Sequence, residues 1–291
     1  MKNKIILSPA IALLSCTILI GCSGTNDKHI EETGGHVILD RQSGQIILPL
    51  DNYDFYGRLS NMATFDKAKN VWLKKCLKKV GYTLKLSAEK LSETEPPEER
   101  TYGLWLPDRA KKYGFDFPPQ SKDERFMNEK LEHDNAWAEE FDDCQNKLQE
   151  TKTSFLRVDQ AYNSSLASKL ASESFEQVLS DDRWREIRTG WKDCLSGSGL
   201  TPPRNDTSFV SEEAEELLDS RSNLNSDELN RIAIIESTCN NQVELTERLG
   251  NLEGSIQENI IRDNIEALSN EKNEIETELS LADEYIEKNL K

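Results

Sequence analysis

The chain has 291 residues, with 53 Asp and Glu against 36 Lys and Arg, a net charge of −17. A surface that acidic repels nucleic acid, anionic lipid headgroups and phosphate-rich polymers, so nucleic-acid binding is excluded. At 36% hydrophobic residues the chain can still bury the core of one large helical domain or two small ones.

The N-terminus carries the clearest address. Lys2 and Lys4 precede an apolar run from Ile5 to Ile20, closed by Leu19-Ile20-Gly21-Cys22. That order is the layout of a secretion signal read by the bacterial lipoprotein machinery, with the Cys22 thiol carrying the lipid. The run contains Pro9 and Ser15 and is shorter than the ~20 apolar residues that a transmembrane helix needs. Residues 1–21 are therefore expected to be a signal peptide. Its removal leaves an extracytoplasmic chain, held to the cell membrane by acyl groups on Cys22 and carrying a charge near −19. Residues 22–35, rich in Gly, Thr, Asn, Asp and Glu, read as a polar tether that buries too little apolar surface to order itself.

From His36 the pattern changes. His36-Val-Ile-Leu-Asp40 and Gln45-Ile-Ile-Leu-Pro-Leu50, separated by Arg-Gln-Ser-Gly, predict a short hairpin or extended lead-in, the one β signal in the chain. The rest is expected to be all-α. Ala68, Trp72, Cys76 and Val80 recur every four residues until Gly81, which stops a helix. Ser121-Lys-Asp-Glu124 reads as a capping box opening a helix through Phe126, Met127 and Leu131. Trp137, Phe141, Cys144 and Leu148 share one face, and Phe155 and Tyr162 continue the seven-residue spacing from Leu148 as one long helix. Trp184, Ile187, Trp191, Cys194 and Leu195 form a further stripe, ended by Ser196-Gly-Ser-Gly199. Ser226-Asp-Glu opens a helix carrying Ala233, Cys239 and Val243. The last segment places Ile261, Ile265, Leu268, Lys272, Ile275, Leu279, Ala282 and Ile286 on a 3.5-residue repeat, a coiled-coil-like heptad seam.

With Cys16 in the signal and Cys22 lipidated, Cys76, Cys144, Cys194 and Cys239 remain, an even number that predicts two disulfides in an exported chain. Their long spacings are unlike the paired ligands of a zinc site, and no metal or cofactor is expected. Trp72-x3-Cys76-Leu77-x3-Gly81-Tyr82 matches Trp191-x2-Cys194-Leu195-x3-Gly199-Leu200, and Ala138-x5-Cys144 matches Ala233-x5-Cys239. Four cysteines allow three connectivities. A duplicated unit keeps its own bond, which selects Cys76–Cys144 and Cys194–Cys239. The chain then divides into a first helical unit, residues 36–180, and a second, residues 181–291, the first holding an extra loop.

Leu48-Pro-Leu-Asp51-Asn-Tyr53, the Trp72 to Tyr82 motif, Tyr102-Gly-Leu with Tyr113-Gly-Phe-x-x-Pro118, and Glu228-x4-Ala233-x5-Cys239 resemble a group of uncharacterised exported lipoproteins of actinobacteria. The resemblance implies a Gram-positive envelope and a duplicated, disulfide-linked α domain. It carries no activity across. The second unit departs from the first in lacking the Tyr-Gly loop.

Chemistry is sparse. His133 is the one histidine of the helical body, and no H-E-x-x-H, G-x-S-x-G or phosphate-loop motif occurs. Ser87-Ala-Glu-Lys90 and Ser269-Asn-Glu-Lys272 match the S-x-x-K of penicillin-interacting enzymes, without the K-T-G strand that should follow. Eight lysines lie between Asp66 and Lys90, whereas 22 acidic residues face seven basic ones from Asp206 onward. That asymmetry is either a basic patch for an acidic partner or a solvated face complementing the acidic half of the same molecule. The loop between Cys76 and Cys144 holds Tyr102, Trp105, Tyr113, Phe115 and Phe117 among five prolines. These aromatics either form a binding surface for a sugar or peptide or fold inward as core under the loop. The expected function is a non-enzymatic binding or interaction module, a monomer whose partner is an envelope protein or wall component. The alternative is an envelope enzyme acting on wall glycan or peptide through acidic residues in a cleft.

Overall fold

The computed structural model describes residues 35–55, 57–85, 96–118, 130, 132–220 and 227–289. The signal peptide, Cys22, the tether up to residue 34, both residues Ser121 and Glu124 of the capping box, and Ser87 and Lys90 lie outside them. Among the described residues the protein is predominantly helical. Strands β1 (Ile38–Asp40) and β2 (Gln45–Ile47) form the antiparallel hairpin, with Ile38 opposite Ile47. Its turn is set by Asp40, whose carboxylate accepts from Gln42 N–H at 2.9 Å and from the Ser43 hydroxyl at 2.7 Å. Such local side-chain bonding is what Asp supplies in turns.

A 3-10 turn (Pro49–Asn52) leads to α1 (Leu59–Lys79), followed by α2 (Pro107–Tyr113) and α3 (Asn135–Glu150). A second 3-10 turn (Ser154–Leu156) precedes α4 (Val158–Asn163), α5 (Leu166–Ser180) and α6 (Asp182–Gly197). Then come α7 (Glu212–Asp219), α8 (Asp227–Gln242) and the 45-residue α9 (Leu245–Asn289). Side-chain caps start several of these helices: Asp134, Ser165, Asp181 and Ser211 each accept a backbone N–H of the first turn, worth about 1 kcal/mol apiece.

The disulfides are Cys76–Cys144, joining α1 to α3, and Cys194–Cys239, joining α6 to α8, with Cα separations of 5.9 and 5.6 Å. Closing loops of 68 and 45 residues stabilises by about 4 kcal/mol each on a chain-entropy argument. The two helices that carry the first cysteine of each pair also end identically. Gly81 has φ of +89° and Gly199 of +80°. Tyr82 N–H returns to Leu77 C=O and Leu200 N–H to Leu195 C=O, each at 3.0 Å. This is the six-to-one bond of a Schellman cap, which needs a left-handed residue that only glycine takes up cheaply. Leu77 and Leu195 are both fully buried.

Residues of the two sequence halves share their cores. One cluster gathers Ile46, Tyr102, Trp105 and Val178 with Trp184, Trp191, Leu229 and Leu249. A second places Phe65, Ala68, Phe155 and Leu156 against Ile275, Ala282 and Ile286 of α9. A third, beside the first disulfide, holds Leu73, Leu77, Trp137 and Phe141. In the first cluster the buried guanidinium of Arg188 lies 4.8 Å from the Phe209 ring centre and 5.4 Å from that of Trp184. It donates to the Ser208 carbonyl. Aromatic faces thus compensate part of the desolvation of this cation.

The terminal seam buries one of its two lines: Leu268, Ile275 and Ala282, seven residues apart, with Ile286. Ile265 is 49% exposed. The buried line packs on α1, α5 and the two 3-10 turns, not on a long helix running through Leu148, Phe155 and Tyr162. That helix does not form as one piece. α3 stops at Glu150 and Thr151 is extended (ψ 147°), its hydroxyl accepting from Thr153 N–H at 3.3 Å. Paired threonines offer the backbone local partners that compete with helix continuation. Within α9 the helical dihedrals lapse once, at Asn264 (φ −121°, ψ 15°), whose amide donates to Ile260 C=O at 2.9 Å. A polar side chain inserted at the i−4 carbonyl is a recognised cause of such a kink.

Candidate functional site

The aromatic loop lies against α6, α8 and α9. Tyr102 and Trp105 are buried, at 0% and 2% exposure, and Phe115 packs on Leu104, Ala110 and Ala233. Tyr113 is half-buried beneath the Lys112 ammonium, 4.6 Å from its ring centre. Phe117 is 53% exposed, with the Arg100 guanidinium 4.5 Å from its ring centre. The five aromatics therefore do not present one common surface. Three glutamates and an asparagine fix the loop in place. Glu98 accepts from Trp105 and Leu106 N–H at 3.1 and 2.9 Å, and Glu99 from Ile46 N–H at 2.8 Å. Asn240 donates to Tyr102 C=O at 2.8 Å. Glu253, buried in α9, accepts from Tyr102 OH at 2.5 Å and from Ser174 Oγ and Gln257 Nε2 at 3.0 Å each.

The other buried or half-buried carboxylates do similar work. Glu236 accepts from Ser211 N–H at 2.8 Å, ahead of α7, and Asp51 from Leu48 N–H at 2.6 Å. Glu271 of α9 accepts from Leu166 and Ala167 N–H at 2.9 and 3.0 Å, at the start of α5. Burial pushes the carboxyl of Asp51 up to about 7, the neighbouring charges of Glu99 and Asp54 adding to it. Burial likewise pushes Glu236 to about 7. Glu98, Glu99 and Glu253 are raised from the ordinary carboxylate range, again chiefly by burial. Raised carboxyls of this kind occur at catalytic sites. Here each is a hydrogen-bond acceptor for the chain's own backbone or side chains.

The basic stretch is partly met within the molecule. Lys69 pairs with Asp159 of α4 at 2.8 Å and Lys85 with Glu132 at 3.7 Å. Lys75 donates to Asn289 and lies 5.9 Å from the Tyr285 ring centre, both on α9. His133 stacks on Trp137 with ring centres 4.3 Å apart. Among the described residues no three His, Cys, Asp or Glu converge as a metal-binding group, and no helix is long and apolar enough to cross a membrane.

A hollow of about 340 Å³ opens between the Ser154–Leu156 turn with α4 on one side and the outer half of α9 on the other. Phe55, Val158 and Ala161 supply its apolar lining, and Ser154, Asn273, Glu274, Thr277 and Glu278 its polar lining. Phe55 and Val158 are 4% and 1% exposed, fixed in the cluster that also holds Ile275. Asn273 and Thr277, like Glu274 and Glu278, stand one turn apart, beside the buried line of the seam. Thr277 donates to Asn273 C=O at 2.8 Å. The Oε2 atom of Glu278 is buried and, among the described residues, has no hydrogen-bond partner. An apolar floor with a few convergent polar groups is the ordinary form of a small-ligand site.

None of these residues stands out in the sequence. Phe55, Val158 and Glu278 come from three distant segments, and only the packing of α9 across the Ser154–Leu156 turn joins them. The one local signal is the i, i+4 repeat of Glu274 and Glu278, lost among the other acidic residues of the terminal helix. No protein family, curated protein or solved structure matches this chain, so the hollow and its chemistry carry the functional reading.

Proposed function

We propose that this is a lipid-anchored protein of a Gram-positive cell envelope that acts as a non-enzymatic binding module, with its ligand seated in the hollow against α9. The Lys-led apolar run ending at Gly21-Cys22 supports the anchor. The two disulfides are compatible with an extracytoplasmic location. The observation that carries the binding reading is the hollow itself, an apolar floor beside a buried carboxylate oxygen that no group among the described residues engages.

The enzyme reading draws on Asp51 and Glu236, whose carboxyls sit near 7, the range of a general acid or base. Their bonds to Leu48 and Ser211 N–H tie them to the fold, and neither lines the hollow. The binding reading is therefore the stronger. A photo-crosslinking residue at Thr277 in intact cells tests it, with a second at Glu173 on the exposed face of α5 as the control. Binding gives an adduct from Thr277 alone, lost when Ala161→Phe fills the hollow. Equal labelling from both positions, or an adduct that survives Ala161→Phe, would count against it. In the same cells Cys22→Ala should release the protein from washed membranes. Full retention of that variant at its precursor mass would replace the lipid with a transmembrane anchor.

A further inference from the structure

We propose that the hollow takes a primary ammonium group at the end of an aliphatic stem, from either a free diamine or a lysine-type side chain of a peptide. The inference rests on the reading of this hollow as the binding site and names the chemistry it selects. Both charged groups of the polar lining, Glu274 and Glu278, are acceptors. Glu274 and Glu278 stand one turn apart on α9, a like-charge spacing that is unfavourable in a helix without a cation. The Thr277 hydroxyl is committed to Asn273 C=O, so it offers no free proton to an anion. Among the described residues the buried Glu278 Oε2 has no donor, and leaving such an atom unpaired is costly. An anionic ligand would meet two carboxylates. A neutral apolar ligand would fill the floor and leave Glu278 as it stands.

An ammonium has three N–H donors and no acceptor. It can give one proton to Glu278 and one to Glu274, in charge-assisted bonds that are the strong members of their class. Phe55, Val158 and Ala161 then receive the methylenes. Lysine-type chains suit such a wall because their stem is apolar up to the charged head. A divalent cation is the poorer fit, since hard cations want six or more oxygen ligands and the opposite wall is hydrocarbon.

The experiment is a methyl-labelled NMR titration of the purified full chain in neutral detergent, following the Val158 and Ala161 methyls. The probes are pentane-1,5-diamine, Nα-acetyl-lysine methylamide and the uncharged pentan-1-ol. Saturable shifts with an ammonium probe, weakened about tenfold or more by Glu278→Gln and abolished by Ala161→Phe with the far-UV spectrum unchanged, are the expected result. A stronger response to the diamine assigns a free amine. A stronger response to the lysine amide assigns a peptide side chain. Binding of pentan-1-ol as tight as that of the diamine, unchanged in Glu278→Gln, would overturn the ammonium assignment and leave the hollow as a binding site. No saturable shift with any of the three would overturn both.

Discussion

Glu253 shows what an acidic residue does inside this protein. Its side chain is 3% exposed, yet Tyr102 OH, Ser174 Oγ and Gln257 Nε2 all donate to it. Three donors stabilise the ionised form, while burial acts against it more strongly and raises its pKa. Gln257 then passes the network on, accepting from Leu50 N–H at 2.9 Å. The aromatic loop, α5, α9 and the 3-10 turn are thus joined through one carboxylate. Tyr102→Phe removes the shortest of these bonds without changing the ring. It should cost about 2 kcal/mol at pH 8, where a buried carboxylate loses a donor. Because the Glu253 pKa is raised, the cost should shrink on acidification to pH 5, as the carboxyl takes up a proton and needs fewer donors. Urea unfolding of both proteins at the two pH values measures it. An equal cost at both would mean that Glu253 does not change its charge between the two pH values.

At the scale of elements, the heptad seam divides into residues that carry stability and residues that do not. Ile275 is 4% exposed and packs with Phe65 and Phe155, whereas Ile265 is 49% exposed. Ile275→Ala should cost about 2–5 kcal/mol, while Ile265→Ala should stay within about 0.5 kcal/mol. A concentration-dependent loss of stability in Ile265→Ala would show instead that a second copy covers this face. Much of this level was legible in the residues. Glycines at 81 and 199, five residues after Cys76 and Cys194, marked two like helix ends. The shared spacing around the four cysteines selected the disulfides. Periodicity misled at Leu148, Phe155 and Tyr162, because a seven-residue spacing survives across a chain that Thr151 and Thr153 turn out of the helix. Composition could not tell which way the loop aromatics face. That depended on Glu98, Glu99, Asn240 and Glu253, and most of these bonds span more than 50 residues of sequence. The hollow was invisible for the same reason: its two walls meet only after α9 has packed.

The acidity of the whole molecule has two layers with opposite responses to pH. Exposed or half-exposed carboxylates with good donors sit low. Asp181 is held down to about 2, mainly by its bond to the Arg183 side chain. The Ser43 hydroxyl lowers Asp40, and Lys192 lowers Asp206. A carboxyl with a depressed pKa contributes stability above its unfolded value, and that stability is lost as pH falls through the folded value. These groups weaken the fold below about pH 4. The buried layer runs the other way. Asp51 and Glu236 sit near 7 in the fold and near 4 when unfolded, so the unfolded chain loses those protons first. Their penalty is absent below the unfolded value and grows as pH rises toward 7. Stability should therefore peak at about pH 4 to 5, with the thermal midpoint at pH 5.5 higher than at pH 8 by about 5 °C or more. Relief of the net charge of −17 acts in the same direction, but salt separates the two. Repulsion between exposed charges is screened at high ionic strength, whereas a buried carboxyl is screened far less. The rise on acidification should persist in 0.5 M salt and diminish in Glu236→Gln, which keeps the acceptor for Ser211 N–H and removes one titrating group. A rise that vanishes in salt and is unchanged by Glu236→Gln would place the acid response on the surface.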